Sequence, residues 1–496
     1  MSAIDLKTIP FLRIIIPAAV GLVLGDMFDF SVWALLAALA LSFGMGRALK
    51  RTGYGSVYLW VTTCLLYALL LTWARPSTKL PHGQRAIATA LLLDNPIKNG
   101  RWGRCDATVT AFRLCDGDSL WHSVNEKIML SIDTSYRLLA GDKIAYAGYF
   151  NPAGGGSYGR LMVRRGYTAR SYVTAGNLIY GLPPEGFSPH LALAQIKTAA
   201  SARLSRLNLG PEEEPVLQAM VLGRSELLTK ELRDDYSRSG TAHILSVSGL
   251  HVGIVFLFIN AVLWFLPLFR RGHIIKNIIA IAAIWFYALL TGFSPPVIRS
   301  AFMFSGVQIA LASSTRSQPL NTVLATATVM MAIWPNSLWD VSFQLSFVAV
   351  LFIMLWMTPL YRLLRTRWGV ANFVIGACVI SIVASVGTAP LVAYHFGYFS
   401  ISGIVVNPAA TNMSYSILIL PLIWIIAPLK FLEPLIHWPV EWSIKIQNYL
   451  AHWGAVQDWG VIHASPSLLW LAIIYGIFLI ITPFVLRLGE IRDTER

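Results

Sequence analysis

The densest group of polar side chains in this sequence stands at the start of an apolar stretch, between positions 239 and 253. It comprises two histidines, two serines and a glycine: His243, Ser246, Ser248, Gly249 and His251. His243 and Ser246 are three residues apart, as are Ser248 and His251, so on a helix each pair shares a face. Polar residues inside a membrane usually face the bundle interior or a water pathway. The spacing favours a polar pathway over the alternative, which is close helix packing with the histidines bound to backbone carbonyls.

Further polar groups follow at intervals along the same apolar region. Arg299 comes shortly after Pro295 and Pro296, and Asp340 and Gln344 are four residues apart, so they share a helix face. Because buried charges are normally paired, Arg299 and Asp340 are expected near the outer rim of the bundle, either as a structural ion pair or lining a pathway. Ser346 and Asn407 complete the set of expected pathway residues.

A second candidate surface combines basic and aromatic residues between positions 158 and 172. Basic side chains attract phosphates and aromatic rings stack on bases, so this interleaving is typical of single-strand binding. The alternative is a solvated basic face on a β domain without a ligand. The predicted DNA-binding residues are Arg160, Arg164, Arg165, Arg170, Tyr158 and Tyr167, with Tyr172 in the same pattern.

The four cysteines indicate no metal site. Cys64 and Cys378 lie in apolar runs and are expected to be small buried hydrophobes. Cys105 and Cys115 flank an expected strand, and a disulfide between them is predicted if that segment faces an oxidising compartment. No metal ligand set and no cofactor motif is predicted.

The overall composition identifies the class of protein. Of 496 residues, 55% are hydrophobic and 13% are charged, about half the charged share of a soluble domain. Residues 239–486 carry 10 basic and 4 acidic side chains. These figures exclude a soluble enzyme and a disordered protein, and they predict a polytopic α-helical membrane protein. Residues 75–190 have an ordinary soluble composition and are long enough for one small domain.

The hydropathy pattern divides the chain into four regions. We predict three N-terminal membrane helices (1–74), an extracytoplasmic β domain (75–190), amphipathic linker helices (191–238) and a membrane channel domain (239–496). A membrane helix needs roughly 20 apolar residues, and some of the predicted helices are broken or re-entrant at Gly or Pro. Residues 433–460 are rich in tryptophan and are expected at the membrane interface. The eleven predicted spans cover about residues 11–28, 31–48, 56–74, 243–267, 274–292, 297–314, 320–334, 341–359, 370–392, 401–427 and 467–486.

Short basic loops predict the orientation. Placing these loops inside gives an inside N-terminus, and the third span then exits outward, so residues 75–190 lie outside. The same count predicts an outside C-terminus, although three arginines stand there. The basic loops contain Arg47, Lys50 and Arg51, then Arg270, Arg271 and Lys276, then Arg362, Arg365 and Arg367.

The outside segment shows the alternation of short β-strands. Residues 104–115, 120–133 and 143–150 are predicted strands, residues 151–156 a flexible loop, and residues 161–173 one or two further strands. Five short strands with a mid-domain loop resemble an OB-fold, a small barrel that often binds oligonucleotides.

Residues 240–251, with the sequence GTAHILSVSGLH, resemble the competence-domain signature of the ComEC family. Three further stretches agree in order: 291–299, 340–346, and 395–400 leading to Asn407. The resemblance implies a channel in the bacterial inner membrane that takes up single-stranded DNA during natural transformation and is not an enzyme. It also implies partners, namely a DNA receptor, a separate nuclease and a cytosolic motor.

The sequence departs from the family pattern at three points. Ser342 stands where the family usually has Gly, and Ser300 where it usually has Ala. The H-x-H-x-D-H signature of the metallo-β-lactamase-like domain that many members carry does not occur. A nuclease role is therefore expected of another protein.

Two other functions remain open from the residues alone. A small-solute transporter with an accessory domain fits the broken helices equally well. An intramembrane serine hydrolase would use Ser248 with His251 as base, but such catalysis also needs an oxyanion hole.

Overall fold

Three helices precede the sheet domain: α1 (Leu12–Met27), α2 (Val32–Leu49) and α3 (Gly55–Ala74). The computed structural model describes residues 9–49, 55–75, 78–115, 120–153, 156–183, 189–312 and 318–494. The first and third helices pack closely, because a Cβ on Gly21 would lie 2.1 Å from the carbonyl oxygen of Cys64. A larger residue at position 21 would force these helices apart.

The inserted domain consists of one eight-stranded sheet and one short helix. Its elements are β1 (Arg85–Leu92), β2 (Ile97–Asn99), β3 (Trp102–Leu114), β4 (His122–Asp133), β5 (Lys143–Tyr149), β6 (Asn151–Pro152), α4 (Gly156–Arg164), β7 (Tyr167–Val173) and β8 (Leu178–Leu182). The strand order is β6-β7-β4-β3-β1-β5-β8, and β2 pairs with β3. All of these pairs are antiparallel except β4 with β7.

Alternating burial along the strands builds the core of this domain. In β1, every second side chain, from Ala86 to Leu92, faces inward. Ala107 and Val109 of β3 and Ile128 of β4 join them as fully buried core residues. The alternation arises because successive strand residues point to opposite faces of the sheet, so the sequence pattern predicts the buried face.

Two sequence expectations for this domain are wrong. Residues 161–164, expected as strand, belong instead to helix α4, because burial recurs every third residue and Met162 packs against Met129. The disulfide is absent, since Cys105 and Cys115 are both free. Cys105 lies within β3 and Cys115 directly follows its last residue, so roughly 30 Å separates them at strand rise, whereas bridged Cα atoms lie about 4.4–6.8 Å apart.

Three helices link the sheet domain to the main helical region. They are α5 (Pro189–Ser205), α6 (Glu213–Leu222) and α7 (Lys230–Arg238). The first turn of α6 carries Glu213 and Glu214, where negative charge favours a helix start. Its buried apolar residues join the largest core cluster, together with residues of later helices.

The remaining chain is almost entirely helical. A two-stranded sheet joins two of its loops. The elements are α8 (Ala242–Leu245), α9 (Gly249–Val262), α10 (Gly272–Leu290), α11 (Pro295–Ala312), α12 (Pro319–Ile333), α13 (Val341–Phe352), α14 (Thr358–Leu364), α15 (Gly369–Phe396), β9 (Tyr398–Ser400), α16 (Ser402–Ile426), α17 (Glu433–Val456), β10 (Val461–His463) and α18 (Leu468–Thr494).

Six helical stretches among the described residues are long and apolar enough to cross a membrane. Three shorter apolar helices lie between them, at Val32–Phe43, Gly249–Val262 and Pro319–Ile333. The protein is therefore a mostly helical, multi-pass membrane protein with an inserted sheet domain. The six stretches are Val57–Ala74, Gly272–Leu290, Val341–Leu364, Gly369–Phe396, Ser402–Ile426 and Leu468–Leu488.

Candidate functional site

The first polar motif forms the cap of a helix. Ser248 is the N-cap of α9, and its backbone N–H donates to His251 Nδ1 at 3.2 Å. The Ser248 hydroxyl lies 2.9 Å from the same nitrogen. Because Nδ1 accepts from the backbone, the neutral ring carries its proton on Nε2. The pair is thus held as a capping arrangement at the start of α9.

The four polar residues of this motif divide into two kinds. His251 is completely buried, and its Nε2 has no hydrogen-bond partner among the described residues. His243 and Ser246, just before the cap, are exposed. The chain is extended at Ser246, where α8 ends. Ser246 is therefore the side chain of this motif most open to a ligand, since His243 also bonds to the Gly240 backbone.

The second motif places a buried guanidinium at the start of α11. Arg299 is 3% exposed, and its Nη2 donates to the Ser342 hydroxyl at 2.8 Å. The next residue, Ser300, lies against the first motif, because a Cβ on Gly249 would come within 2.7 Å of its hydroxyl. A larger residue at position 249 would require the Ser300 hydroxyl to move.

The third motif begins α13. The Asp340 carboxylate accepts from the backbone N–H groups of Ser342 and Phe343 at 2.8 and 3.2 Å, which caps the helix. One turn later, the Gln344 amide donates to the Leu338 carbonyl at 2.8 Å. Ser346 is half-buried further along α13. Arg299 and Asp340 interact electrostatically, while the hydrogen bond of Arg299 goes to Ser342 and those of Asp340 come from the backbone.

The fourth motif connects α15 to α16. His395 Nε2 lies 2.9 Å from Gln344 Oε1. The Ser400 hydroxyl donates to the Arg238 carbonyl at 2.9 Å, and a Cβ on Gly240 would lie 2.8 Å from Ser400 Cβ. Asn407 is buried in α16, and its Oδ1 has no partner among the described residues.

These contacts join the four motifs in a closed ring. The first motif meets the second at Gly249 and Ser300, and the second meets the third at Arg299 and Ser342. The third meets the fourth through Gln344. The fourth returns to the first where Ser400 packs on residue 240. We call this set the motif ring.

A cavity of about 360 Å³ lies between the sheet domain and the motif ring. Its charged lining residues are Arg164, Arg165, Arg299 and Asp340. Arg165 lies 3.9 Å from Asp340, and Arg164 pairs with Asp26 at 2.9 Å. Two of the arginines predicted for DNA binding therefore share one cavity with two charges of the membrane motifs.

The other predicted DNA-binding residues lie apart from this cavity's lining. Arg160 is exposed on α4, and Arg170 is half-buried in β7. The Tyr167 hydroxyl donates to Asp106 at 2.6 Å, and the Lys127 ammonium lies 4.4 Å from the centre of its ring. One face of that ring is thus already covered. The Tyr158 side chain lies outside the described residues.

Sequence reasoning missed three residues at these sites. Ser337 lines the cavity with a buried hydroxyl that has no partner among the described residues. The Trp339 ring lies 4.6 Å beneath the Arg164 guanidinium. Lys197 of α5 approaches the second motif, since a Cβ on Gly292 would lie 2.8 Å from its Nζ. For Ser337 and Trp339, the available signal was the segment 335–340, in which Asn336, Ser337 and Asp340 interrupt two apolar stretches.

Comparison with known proteins agrees with the position of the motifs. A family model described as competence protein matches residues 220–489. ComE operon protein 3 of Bacillus subtilis (strain 168) is 29% identical over 214 residues, which cover 43% of this chain and 26% of that protein. An uncharacterized protein of Aquifex aeolicus (strain VF5) is 30% identical over 200 residues, covering 40% of this chain and 44% of that protein.

The matched regions span less than half the length of either relative, and no solved structure matches this chain. The family match nevertheless covers more than half of the sequence and contains all four segments of the motif ring. The chain belongs to the competence protein family and is a ComEC-type competence protein.

Proposed function

We propose that this protein is an inner-membrane channel through which single-stranded DNA enters the cell during natural transformation. The observation that carries the proposal is the motif ring, in which four polar segments from separate parts of the chain contact one another at helix ends. Membership of the competence protein family gives independent support.

A polyanion crosses a bilayer only along a polar path that excludes lipid. Interrupted helices are tolerated at membrane depth where they are buried in protein or line water. The ring places such interruptions side by side, before α9, α11 and α13 and after α15. In this proposal the exposed His243 and Ser246 face the strand, while the remaining motif residues, Ser248, Gly249, His251, Gln344, Ser346 and Asn407, hold the ring in shape.

The proposed topology has eleven spans, an inside N-terminus and the sheet domain outside the cell. The strand pairing supports an OB-like barrel for that domain. Strands β1, β3 and β4 pair antiparallel in sequence order, β1 also pairs with β5, and β4 pairs parallel with β7. Five principal strands linked in this way fit a small, partly open barrel.

The driving force for transport comes from other proteins in this proposal. The sequence contains no GxxxxGK[ST] phosphate-binding loop. We propose that a DNA receptor delivers the substrate, that a separate nuclease removes the second strand, and that a cytosolic motor draws the strand inward.

Uptake by proteoliposomes tests the channel function. Vesicles containing the full chain are loaded with a cytosol-side single-strand trap and exposed to a labelled oligothymidylate or to labelled phosphate. We expect the oligonucleotide to enter. Ser246→Leu should block entry by bulk, whereas Ser246→Ala, the matched small variant, should permit it. Entry of phosphate with exclusion of the oligonucleotide would instead support a small-solute transporter.

A further inference from the structure

The cavity between the sheet domain and the motif ring has more positive than negative groups. Three guanidinium groups and one carboxylate line it. The carboxylate of Asp340 is committed to two backbone N–H groups of α13, and Arg164 is shared with Asp26 outside the lining. The balance inside the cavity therefore favours an anion.

Two hydrogen-bond donors in this cavity have no partner. Arg299 is 3% exposed and uses Nη2 for Ser342, but its Nε has no partner among the described residues. The same holds for the Ser337 hydroxyl. Leaving a buried donor unsatisfied is costly, more so for a charged group. Both residues line the cavity, but these two atoms are shielded from solvent, so a side-chain rotation is needed before either donates to an acceptor that enters.

The walls strengthen such an interaction. Ile298, Met330 and Phe343 are apolar lining residues, and a low local dielectric increases the attraction between opposite charges. The volume of about 360 Å³ lies within the roughly 300–1,000 Å³ typical of small-ligand pockets. There is room for a phosphate group with part of an attached sugar, but not for a folded duplex.

We infer that this cavity binds one phosphodiester group of the entering strand through Arg299, Arg165 and the Ser337 hydroxyl. The inference rests on the proposed function and names the chemistry that its site recognises, namely the charged backbone and not the bases. Arg165, which pairs with Asp340 across the domain boundary, exchanges that partner for the phosphate. Ser342 acts as a positioning residue because it holds the Arg299 guanidinium at the cavity wall.

The test measures binding of tetrathymidylate to the full chain in lipid nanodiscs by calorimetry. Its uncharged methylphosphonate counterpart serves as the second probe. We expect the phosphodiester to bind and the methylphosphonate to bind at least about tenfold more weakly, because the methylphosphonate has no negative charge to pair with the guanidinium groups. Equal binding of both probes would overturn the inference.

Four variants sharpen this test. Arg299→Gln should weaken phosphodiester binding about tenfold or more, and Ser342→Ala should weaken it less. Asp340→Asn should tighten binding several-fold, because it removes the competing charge while asparagine still caps the helix. Arg137→Gln, at an exposed arginine in the loop after β4, is the control and should change nothing.

Arg299→Gln and Asp340→Asn should change the phosphodiester affinity in opposite directions, and a cavity with only a structural role would not produce that result. Weaker binding by Asp340→Asn, or equal losses for Arg299→Gln and Arg137→Gln, would overturn the inference. If Arg299→Gln does not fold, the inference is still tested by the affinity changes of Asp340→Asn, which should tighten phosphodiester binding, and of Ser342→Ala, which should weaken it. If the wild type binds the phosphodiester more tightly than the methylphosphonate but vesicles take up no oligonucleotide, the channel function is rejected and the phosphate site is retained. If vesicles take up the oligonucleotide but the two probes bind equally, the phosphate site is rejected and the channel function is retained.

Discussion

Two charged clusters in this protein differ in how completely their polar atoms are paired. In the sheet domain, the Asp106 carboxylate receives the Lys127 ammonium at 2.7 Å and the Tyr167 hydroxyl at 2.6 Å. In the cavity, Arg299 makes one hydrogen bond to Ser342, and its Nε has no partner among the described residues. The first cluster is satisfied within the fold, whereas the second retains unused donors.

The comparison shows that the residue types in a segment do not tell which of its side chains are free to bind a ligand. Basic and aromatic residues between positions 158 and 172 match the composition of a single-strand binding surface, yet Tyr167 is occupied by Asp106 and Lys127. Arg164 and Arg165 from the same stretch reach Asp26 and Asp340 in the helical region. Residue types alone therefore identify the segment, while pairing decides which of its side chains can meet a ligand.

Removing one cation from each cluster gives the largest expected contrast. Arg299→Gln should lower oligonucleotide uptake into proteoliposomes about tenfold or more, because a hydrogen bond to a charged group is worth roughly 1.5–3 kcal/mol and about 1.4 kcal/mol is a factor of ten. Lys127→Gln should leave uptake within about a factor of two, since Lys127 already serves Asp106. Similar losses in both variants would break the comparison.

Within the motif ring, substitution of His251 should have a smaller effect, and the effect should be on stability and not on uptake. Its Nδ1 accepts from the Ser248 backbone, so His251→Ala should lower the free energy of unfolding by about 0.5–2 kcal/mol, as loss of a helix cap does. His251→Gln is the matched control, because glutamine three residues after the cap restores that acceptor. Unfolding in detergent titrations provides the measurement, and an unstable His251→Gln with a stable His251→Ala would contradict the capping role.

Local patterns in the sequence were sufficient for the strands and for the apolar helices. Strand β3 (Trp102–Leu114) was expected at residues 104–115, because alternation of apolar and polar residues is a local signal. The apolar length of α15 and α16 likewise predicts two long membrane helices. The competence signature at residues 240–251 identified the family, which the comparisons confirm.

Contacts between distant segments were not accessible to the same reasoning. Helix α4 takes its form where Met162 packs on Met129, and a nine-residue helix has little stability without such packing. The ring depends on the approach of Gly249 to Ser300 and of residue 240 to Ser400, which helix packing decides. The cavity joins Arg165 to Asp340 across the boundary between two regions, so no single stretch of sequence contains its signal.

Two lysines extend the comparison to alkaline pH, with the smallest expected effects. Burial alone would lower the pKa of Lys127, but the hydrogen bond and negative charge of Asp106 raise it above its usual value. For Lys197, burial is the main effect and lowers the pKa. Relative to the unfolded chain, folding thus favours the charged form of Lys127 and disfavours the charged form of Lys197.

The signs for stability follow from proton linkage. The contribution of Lys127 is fully present below the unfolded lysine pKa of about 10.4, and it is lost as pH rises through the raised folded value. Lys197 binds fewer protons folded than unfolded between its lowered pKa and about 10.4, so its unfavourable contribution diminishes as pH rises there.

Unfolding titrations of the full chain from neutral to alkaline pH, with Lys127→Gln and Lys197→Met beside the wild type, measure both contributions. The wild type should lose stability at the alkaline end as Lys127 deprotonates, and Lys127→Gln should not show this loss. Lys197→Met should stabilise the chain by a few tenths of a kcal/mol at neutral pH, since a partly exposed lysine sheds only a modest desolvation cost, and the gain should shrink as pH rises. A gain that grows with pH would mean that the Lys197 ammonium is stabilised in the folded state, and Lys197 would then resemble Lys127 instead of contrasting with it.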